Sequence, residues 1–303
     1  MKDSVKGPLL TLFGGSCWGL SGSVGQYLFT AEGMDSRWLV PVRLGLAGMI
    51  LLLFSFICYG KKTILPWQHK RSAFRLILYG LAGVSFCQFF YFTTIQLSTA
   101  AIATILQSLS PILILMAACV LARRRPTGVE ILATFLALAG VFLISTHGDP
   151  THLKIAPLAL LTGFLCAFCV MIYNVSAGSL TTDHPVAVIQ GWSFLMGSVF
   201  FLLIFRAWEF HYVPTPIGWL GIACVVLIGN VIAFVAYITG VGMIGPEKGI
   251  LYGFSEPVSA ALISAIFMHT PFTVWDGFGF ALVFVTLVLI SRPKAPVSQK
   301  KTL

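Results

Sequence analysis

Residues 99–121 read TAAIATILQSLSPILILMAACVL, and residues 247–268 read EKGILYGFSEPVSAALISAIFM. Each is an apolar run of the length that crosses the hydrocarbon layer as an α-helix, roughly 20 residues. Each carries a proline near its middle, Pro111 and Pro257. Runs of the same kind recur on both sides of these two. The spans read 8–30, 37–59, 74–96, 99–121, 127–146, 155–178, 185–207, 216–240, 247–268 and 272–291. The fold expected is all-α and integral to the membrane, with ten transmembrane helices. Composition agrees: 57% of residues are hydrophobic, 10% are charged, and mean hydropathy is +0.92. A soluble domain is about 25% charged, so most of this surface must face lipid.

The formal net charge is +9. The basic residues sit in short loops and near the C-terminus, and no basic stretch is interleaved with exposed aromatics. The positive balance therefore reads as an orientation signal and not as a nucleic-acid surface. With the N-terminus inside, the cytoplasmic side carries fifteen Lys and Arg. These are Lys2, Lys6, Lys61, Lys62, Lys70, Arg71, Arg75, Arg123 to Arg125, Lys248, Arg292, Lys294, Lys300 and Lys301. The other side carries Arg37, Lys154 and Arg206, and Arg43 is left inside the second span. Both termini are expected to be cytoplasmic, with Met1 to Gly7 leading an uncleaved first helix and a polar tail following Arg292. The seven cysteines lie in or at the edge of apolar runs, and Cys166-x-x-Cys169 reads as packing, because no nearby cation would stabilise a thiolate.

A shift of 146 aligns residues 86–145 with 232–291 without a gap. Tyr91 meets Tyr237, Pro111 meets Pro257, and Leu143-Ile144-Ser145 meets Leu289-Ile290-Ser291. Eight of these sixty positions are identical. Five spans per copy is an odd number, so the second copy must enter the membrane inverted. The charges fit that inversion, since Arg123-Arg124-Arg125 aligns with His269-Thr270-Pro271. Two units follow, a first repeat at 1–146 and an inverted second repeat at 155–291, with a cytoplasmic tail at 292–303. Inverted repeats are common in secondary transporters, whose sites lie near the midplane between the copies.

The chain resembles the drug/metabolite transporter superfamily, EamA type. The residues that carry the resemblance are Gly14-Gly15-Ser16-Cys17-Trp18-Gly19, Arg43, Ser110-Pro111, Glu256-Pro257 and the apolar endings Gly140–Ser145 and Thr286–Ser291. The resemblance implies ten helices in two five-helix repeats and transport of amino acids, amines, nucleosides or related metabolites. Members often carry Gly-Glu after the fourth and ninth helices. Here those places read Ala122-Arg123 and Met268-His269, so no role for those acids carries over.

Glu256 sits near the middle of the ninth span. A carboxylate at that depth is costly unless paired, solvated or protonated, which makes it a candidate for contact with substrate or protons. A helix proline frees the carbonyl four residues earlier: Gln107 for Pro111 and Gly253 for Pro257. Such groups are tolerated where they line a wet cavity, so both prolines are expected to kink their helices around a central cavity. Helical spacing places Gly249, Tyr252, Gly253 and Glu256 on one face, and Thr104, Gln107, Ser108 and Pro111 on another. Gln88 and Tyr91 in the third span, Asn230 and Tyr237 in the eighth, and Trp18 in the first complete the expected lining. Tyr173 and Asn174 face inward from the sixth. A carboxylate among aromatic rings suits an amine or a zwitterion. Arg43 lies about two turns into its span, from where it can snorkel outward or bind an anion. Gly15-x-x-x-Gly19 and Gly249-x-x-x-Gly253 match the small-residue pattern of close helix approach.

Gly240-Val241-Gly242-Met243-Ile244-Gly245 matches G-x-G-x-x-G but ends a membrane span, where a dinucleotide motif would follow a strand. No phosphate-loop, zinc-protease or nucleophile-elbow motif occurs. No cofactor, no metal, no nucleic acid and no enzymatic activity are expected. The function expected is secondary transport of a small metabolite across the plasma membrane, with export favoured by the resemblance and protons a candidate coupling ion. A passive facilitator or channel, and less readily an intramembrane enzyme, remain as alternatives. The chain is expected to work as a monomer or a homodimer within the lipid bilayer.

Overall fold

The computed structural model describes residues 3–149, 156–210, 212–267 and 273–291. The Met268-His269 and Thr270-Pro271 positions, Lys2, Lys154 and the tail from Arg292 lie outside the described residues. Helices run along the chain as α1 (Asp3–Thr30), α2 (Ser36–Tyr59), α3 (Leu65–Gln68) and α4 (Lys70–Ile77). A π-helical segment, Leu78–Ser85, joins α4 to α5 (Phe86–Leu97). Then come α6 (Ala100–Gln107), α7 (Ser110–Leu121), α8 (Gly128–Thr146), α9 (Pro157–Thr181) and α10 (Val186–Phe205). A second π segment, Val225–Ile232, joins α11 (Pro216–Cys224) to α12 (Ala233–Ile244). The last three are α13 (Pro246–Tyr252), α14 (Ser255–Phe267) and α15 (Val274–Ser291). No strand occurs among the described residues.

Six helical stretches are long and apolar enough to cross a membrane: Ser36–Thr63, Lys70–Leu97, Ala100–Leu121, Pro157–Gly178, Val186–Phe205 and Pro216–Ile244. Gly128–Ile144 and Val274–Thr286 are shorter apolar helices. The distribution of side chains is that of a protein in lipid. Ile57, Phe135, Leu203 and Leu220 are exposed, while Arg43, Gln88, Asn174, Gln190, Asn230 and Glu256 are buried. In water the apolar set would form an aggregation surface; against acyl chains it has no cost.

The stretches expected as single kinked helices at Pro111 and Pro257 are each two helices. The first ends at Gln107 and resumes at Ser110, and the second ends at Tyr252 and resumes at Ser255. The physical reason is that proline forbids the i→i−4 bond, and the chain substitutes tighter i→i−3 bonds. Leu109 N donates to Leu106 O at 3.2 Å and Ile112 N to Leu109 O at 3.1 Å; Phe254 N donates to Leu251 O at 3.3 Å and Glu256 N to Gly253 O at 2.9 Å. The carbonyl expected to be free at Gly253 is therefore taken up by the backbone of Glu256.

α1 packs along α12 and α14, α2 against α10, α5 against α9, and α8 against α15. Glycine permits several of these approaches. A Cβ on Gly19 of α1 would lie 2.5 Å from Glu256 O, and one on Gly15 would lie 3.0 Å from Gly253 O. Gly140 and Gly279 do the same reciprocally between α8 and α15, at 2.8 and 2.7 Å from each other's carbonyl oxygen. The apolar core has two parts. The larger gathers α1, α2, α5, α9, α10 and α12; the smaller joins α8 and α15 to Leu251, Tyr252 and Phe254.

Candidate functional site

The helix break at Gly253–Phe254 puts Glu256 in the first turn of α14, deep in the protein and 5% exposed. The partial positive charge of a helix N-terminus favours an acid in that turn. Two side chains from the first half of the chain hold its carboxylate. Tyr91 of α5 donates its hydroxyl to Oε1 at 3.0 Å, and Gln107, the last residue of α6, donates Nε2 to Oε2 at 3.1 Å. Behind them, Tyr91 Oη lies 3.2 Å from Thr104 Oγ1, and Cys166 Sγ of α9 donates to Gln107 Oε1 at 3.4 Å. A carboxylate accepts about four hydrogen bonds, so Glu256 keeps acceptor capacity on both oxygens.

Two small cavities, each about 30 Å³, meet at this carboxylate. One is lined by Trp18, Arg43, Gln88, Tyr91 and Phe234, the other by Ser108, Pro111, Tyr237, Gly253 and Pro257; Trp18, Gln107, Tyr173 and Glu256 border both. That volume holds about two waters. A metabolite pocket is typically ~300 Å³ or more, so the space beside the carboxylate is far smaller than such a pocket.

The walls are braced by hydrogen bonds between helices. Trp18 Nε1 donates to Gly229 O at 3.0 Å, and its ring packs on Phe234 and Tyr237 at centroid distances of 4.7 and 4.6 Å. Tyr237 donates to Asn174 Oδ1 at 3.0 Å, and Asn174 turns its Nδ2 to Val170 O at 2.9 Å. Asn230 lies in the second π segment, and Gln88 follows just after the first. π-helical turns recur at functional sites because they re-aim side chains out of the α-helical register.

Arg43 does not snorkel. It is 1% exposed, with its guanidinium carbon 3.8 Å from the centroid of the Phe92 ring. Its Nη2 donates to Gln88 Oε1 at 3.0 Å and to Asn230 Oδ1. The reason is polar company, because Gln88 and Asn230 each offer an acceptor to Nη2 inside the bundle. Of the residues expected to line the cavity, Trp18, Gln88, Tyr91, Gln107, Tyr237, Glu256, Pro111 and Pro257 border it. Asn230 stands one step behind, on Arg43. Tyr252 is placed apart, buried in the smaller apolar core with Ala133, Val141 and Val283. The break at Gly253 is what turns it away, since helical spacing from Glu256 does not hold across it. Cys166 lies 3.8 Å from Cys87 and bonds Gln107, a contact its C-x-x-C spacing gives no sign of. Gly240–Gly245 ends α12, with Gly245 as its C-cap, and follows no strand.

A bundle that is apolar outside and polar inside, with broken helices meeting at a buried carboxylate, defines a multi-pass membrane protein with a central polar site. Residues 5–146 and 157–292 match the EamA-like transporter family, and the chain belongs to that family. It is 34% identical over 292 residues to the uncharacterized inner membrane transporter YicL of Salmonella typhimurium, covering 96% of this chain and 97% of that protein. It is 28% identical to the uncharacterized transporter YetK of Bacillus subtilis, over 86% of this chain and 82% of that one. A crystal structure, 18% identical, superposes with a TM-score of 0.76 over 95% of this chain and 96% of the other, which shows the shared fold. The protein is thus a membrane transporter.

Proposed function

We propose that this protein is a secondary carrier that moves a small metabolite, an amino acid, an amine or similar, out of the cell by alternating access. In this reading ten transmembrane helices form two inverted five-helix halves with both termini cytoplasmic. Three paired features support the halves. The π segments Leu78–Ser85 and Val225–Ile232 stand 147 residues apart. The helix breaks after Gln107 and Tyr252 stand 145 apart. Capping boxes at Thr127/Glu130 and Thr273/Asp276 stand 146 apart. The excess of Lys and Arg on one side supports the orientation.

The observation that carries the carrier reading is Glu256 itself. A buried acid of the second half is held by Tyr91 and Gln107 of the first. Moving one half against the other changes the partners of the acid, and a cationic group of the substrate can replace them. A channel has no need of a site that collapses to about 30 Å³. Labelling of Ser108→Cys, on the cavity wall, in a background lacking the native cysteines, tests this with impermeant thiol reagents applied to sealed vesicles. The carrier reading expects labelling from either side while the vesicles hold a small-solute gradient. Labelling accompanied by free leak of small solutes would favour a channel.

A further inference from the structure

We infer that Arg43 and Asn230 form a carboxylate-binding subsite, so that the substrate is a small zwitterion whose cationic end meets Glu256. This rests on the carrier reading above and narrows its substrate class.

Seven buried side-chain nitrogen and oxygen atoms lack a hydrogen-bond partner among the described residues. Three of them stand together: Arg43 Nε, Arg43 Nη1 and Asn230 Nδ2. All three are donors. The other four belong to Ser55, Thr63, Trp67 and Gln190, one each. Buried donors are almost always paired, and an unpaired cluster asks for an acceptor. A guanidinium stays charged in a protein, and no ion pair joins Arg43 to any described carboxylate, Glu256 included. One of its faces is covered by Phe92, which offers a ring quadrupole and no acceptor. Gln88 and Asn230 both approach the same nitrogen, Nη2, so they orient the fork without satisfying it. The acceptor that matches a planar fork with an amide donor beside it is a carboxylate.

Arg43 and Glu256 line the same cavity, with Trp18, Tyr91 and Phe234 as aromatic wall. Consecutive residues of α5 connect them: Tyr91 bonds Glu256, and Phe92 lies beneath Arg43. One site thus presents a buried anion and a separate buried cation. An amine alone would leave Arg43 unpaired, and an acid alone would leave Glu256 unpaired. A molecule with both charges satisfies each end, and the aromatic wall accepts its apolar part.

The test is direct binding to the purified full-length protein, read by thermal stability and titration calorimetry. Standard amino acids and betaines are compared with matched amines lacking the carboxylate and matched acids lacking the amino group. The expected result is that a zwitterion binds at least about ten-fold more tightly than either analogue. Arg43→Gln should erase that preference, with the amine analogue binding as it does to wild type. Amines binding as tightly as zwitterions would overturn the inference, as would a preference that survives Arg43→Gln. Stabilisation only by compounds outside the zwitterion set would overturn it too, while leaving the carrier reading intact. If Arg43→Gln does not fold, the wild-type comparison decides, together with Arg43→Lys, which keeps the charge and loses the fork. Absence of any ligand together with absence of flux in proteoliposomes would instead remove the carrier reading.

Discussion

Residues 86–145 and 232–291 build the same succession of elements and fill it with different chemistry. Each follows a π segment, places a tyrosine on the cavity wall (Tyr91, Tyr237), breaks near a proline and ends in a capped helix. The caps correspond in detail. Thr127 N donates to Glu130 at 2.9 Å and Thr273 N to Asp276 at 2.7 Å. A cation or imidazole grips each capping acid from outside, Arg124 on Glu130 at 2.9 Å and His147 on Asp276 at 2.9 Å. At the break the copies part. Ser110 precedes Pro111, whereas Glu256 precedes Pro257, and Gln107 stands where the second copy has Gly253. The frame is built twice; the acid is present once, and its hydrogen-bond donors come from the other copy. On the proposed function, the difference separates residues that hold the frame from residues that meet the substrate, and substitutions at corresponding positions test that division.

The largest contrast is expected at the break. Glu256→Gln removes the charge, and Gln107 can turn its amide to bond the new side chain, so the fold should persist. Transport or ligand binding should fall at least about ten-fold, the scale of a single charge-assisted hydrogen bond. Ser110→Ala, at the corresponding position, should stay within about two-fold. Measured flux in proteoliposomes compares the two, and equal losses would remove the assignment of the acid to the site.

Close helix approaches come next. Gly140→Val forces a side chain against Gly279 O and Val283, and Gly19→Ala forces one against the backbone of Glu256. Overpacking of this kind costs about 1–3 kcal/mol, visible as a lowered melting temperature in detergent. Gly19→Ala should also weaken ligand binding, and more than Gly140→Val does, because it presses on Glu256 itself, whereas the core of α8 and α15 touches the cavity through Phe254. An equal loss of binding by Gly140→Val in protein that remains folded would show the two cores to be coupled.

Caps are expected to matter less and alike. Thr127→Ala and Thr273→Ala each remove a side chain that caps a helix, worth about 1 kcal/mol. Unfolding in denaturant should show similar losses. A loss confined to one of them would mean that the two helices, though alike in sequence position, are not equally supported. The smallest effect belongs to Arg124→Ala. Arg124 joins Glu130 at 2.9 Å and Glu247, across the halves, at 2.6 Å. These pairs are part-buried near the surface, where ion pairs contribute on the order of 1 kcal/mol and weaken with salt, so a large loss of stability would contradict that placement.

Much of the frame is legible in hydrophobic length, because the apolar runs leave the chain no other compact solution in lipid. The carboxylate is legible for a similar reason, since an acid inside an apolar run is expensive anywhere else. Three things are not. Helical spacing from Glu256 puts Tyr252 on the cavity face, and a two-residue break cancels that spacing. Arg43 reads as free to snorkel, because the polar partners that keep it inside, Gln88 and Asn230, come from elements 45 and 187 residues away. The π segments leave no local mark, as Leu78–Ser85 and Val225–Ile232 are ordinary apolar sequence. Contacts set by tertiary packing are not written in local periodicity.

The most direct test of the central claim is a thermal-stability screen of the detergent-purified protein against amino acids, amines, polyamines, nucleosides and organic acids, run in parallel on wild type and Glu256→Gln. A ligand at 100 times its dissociation constant should stabilise the native state by about 2.7 kcal/mol. The account predicts a shift with one chemical class in wild type and its loss in Glu256→Gln. An equal shift in both proteins would contradict the placement of the substrate at Glu256.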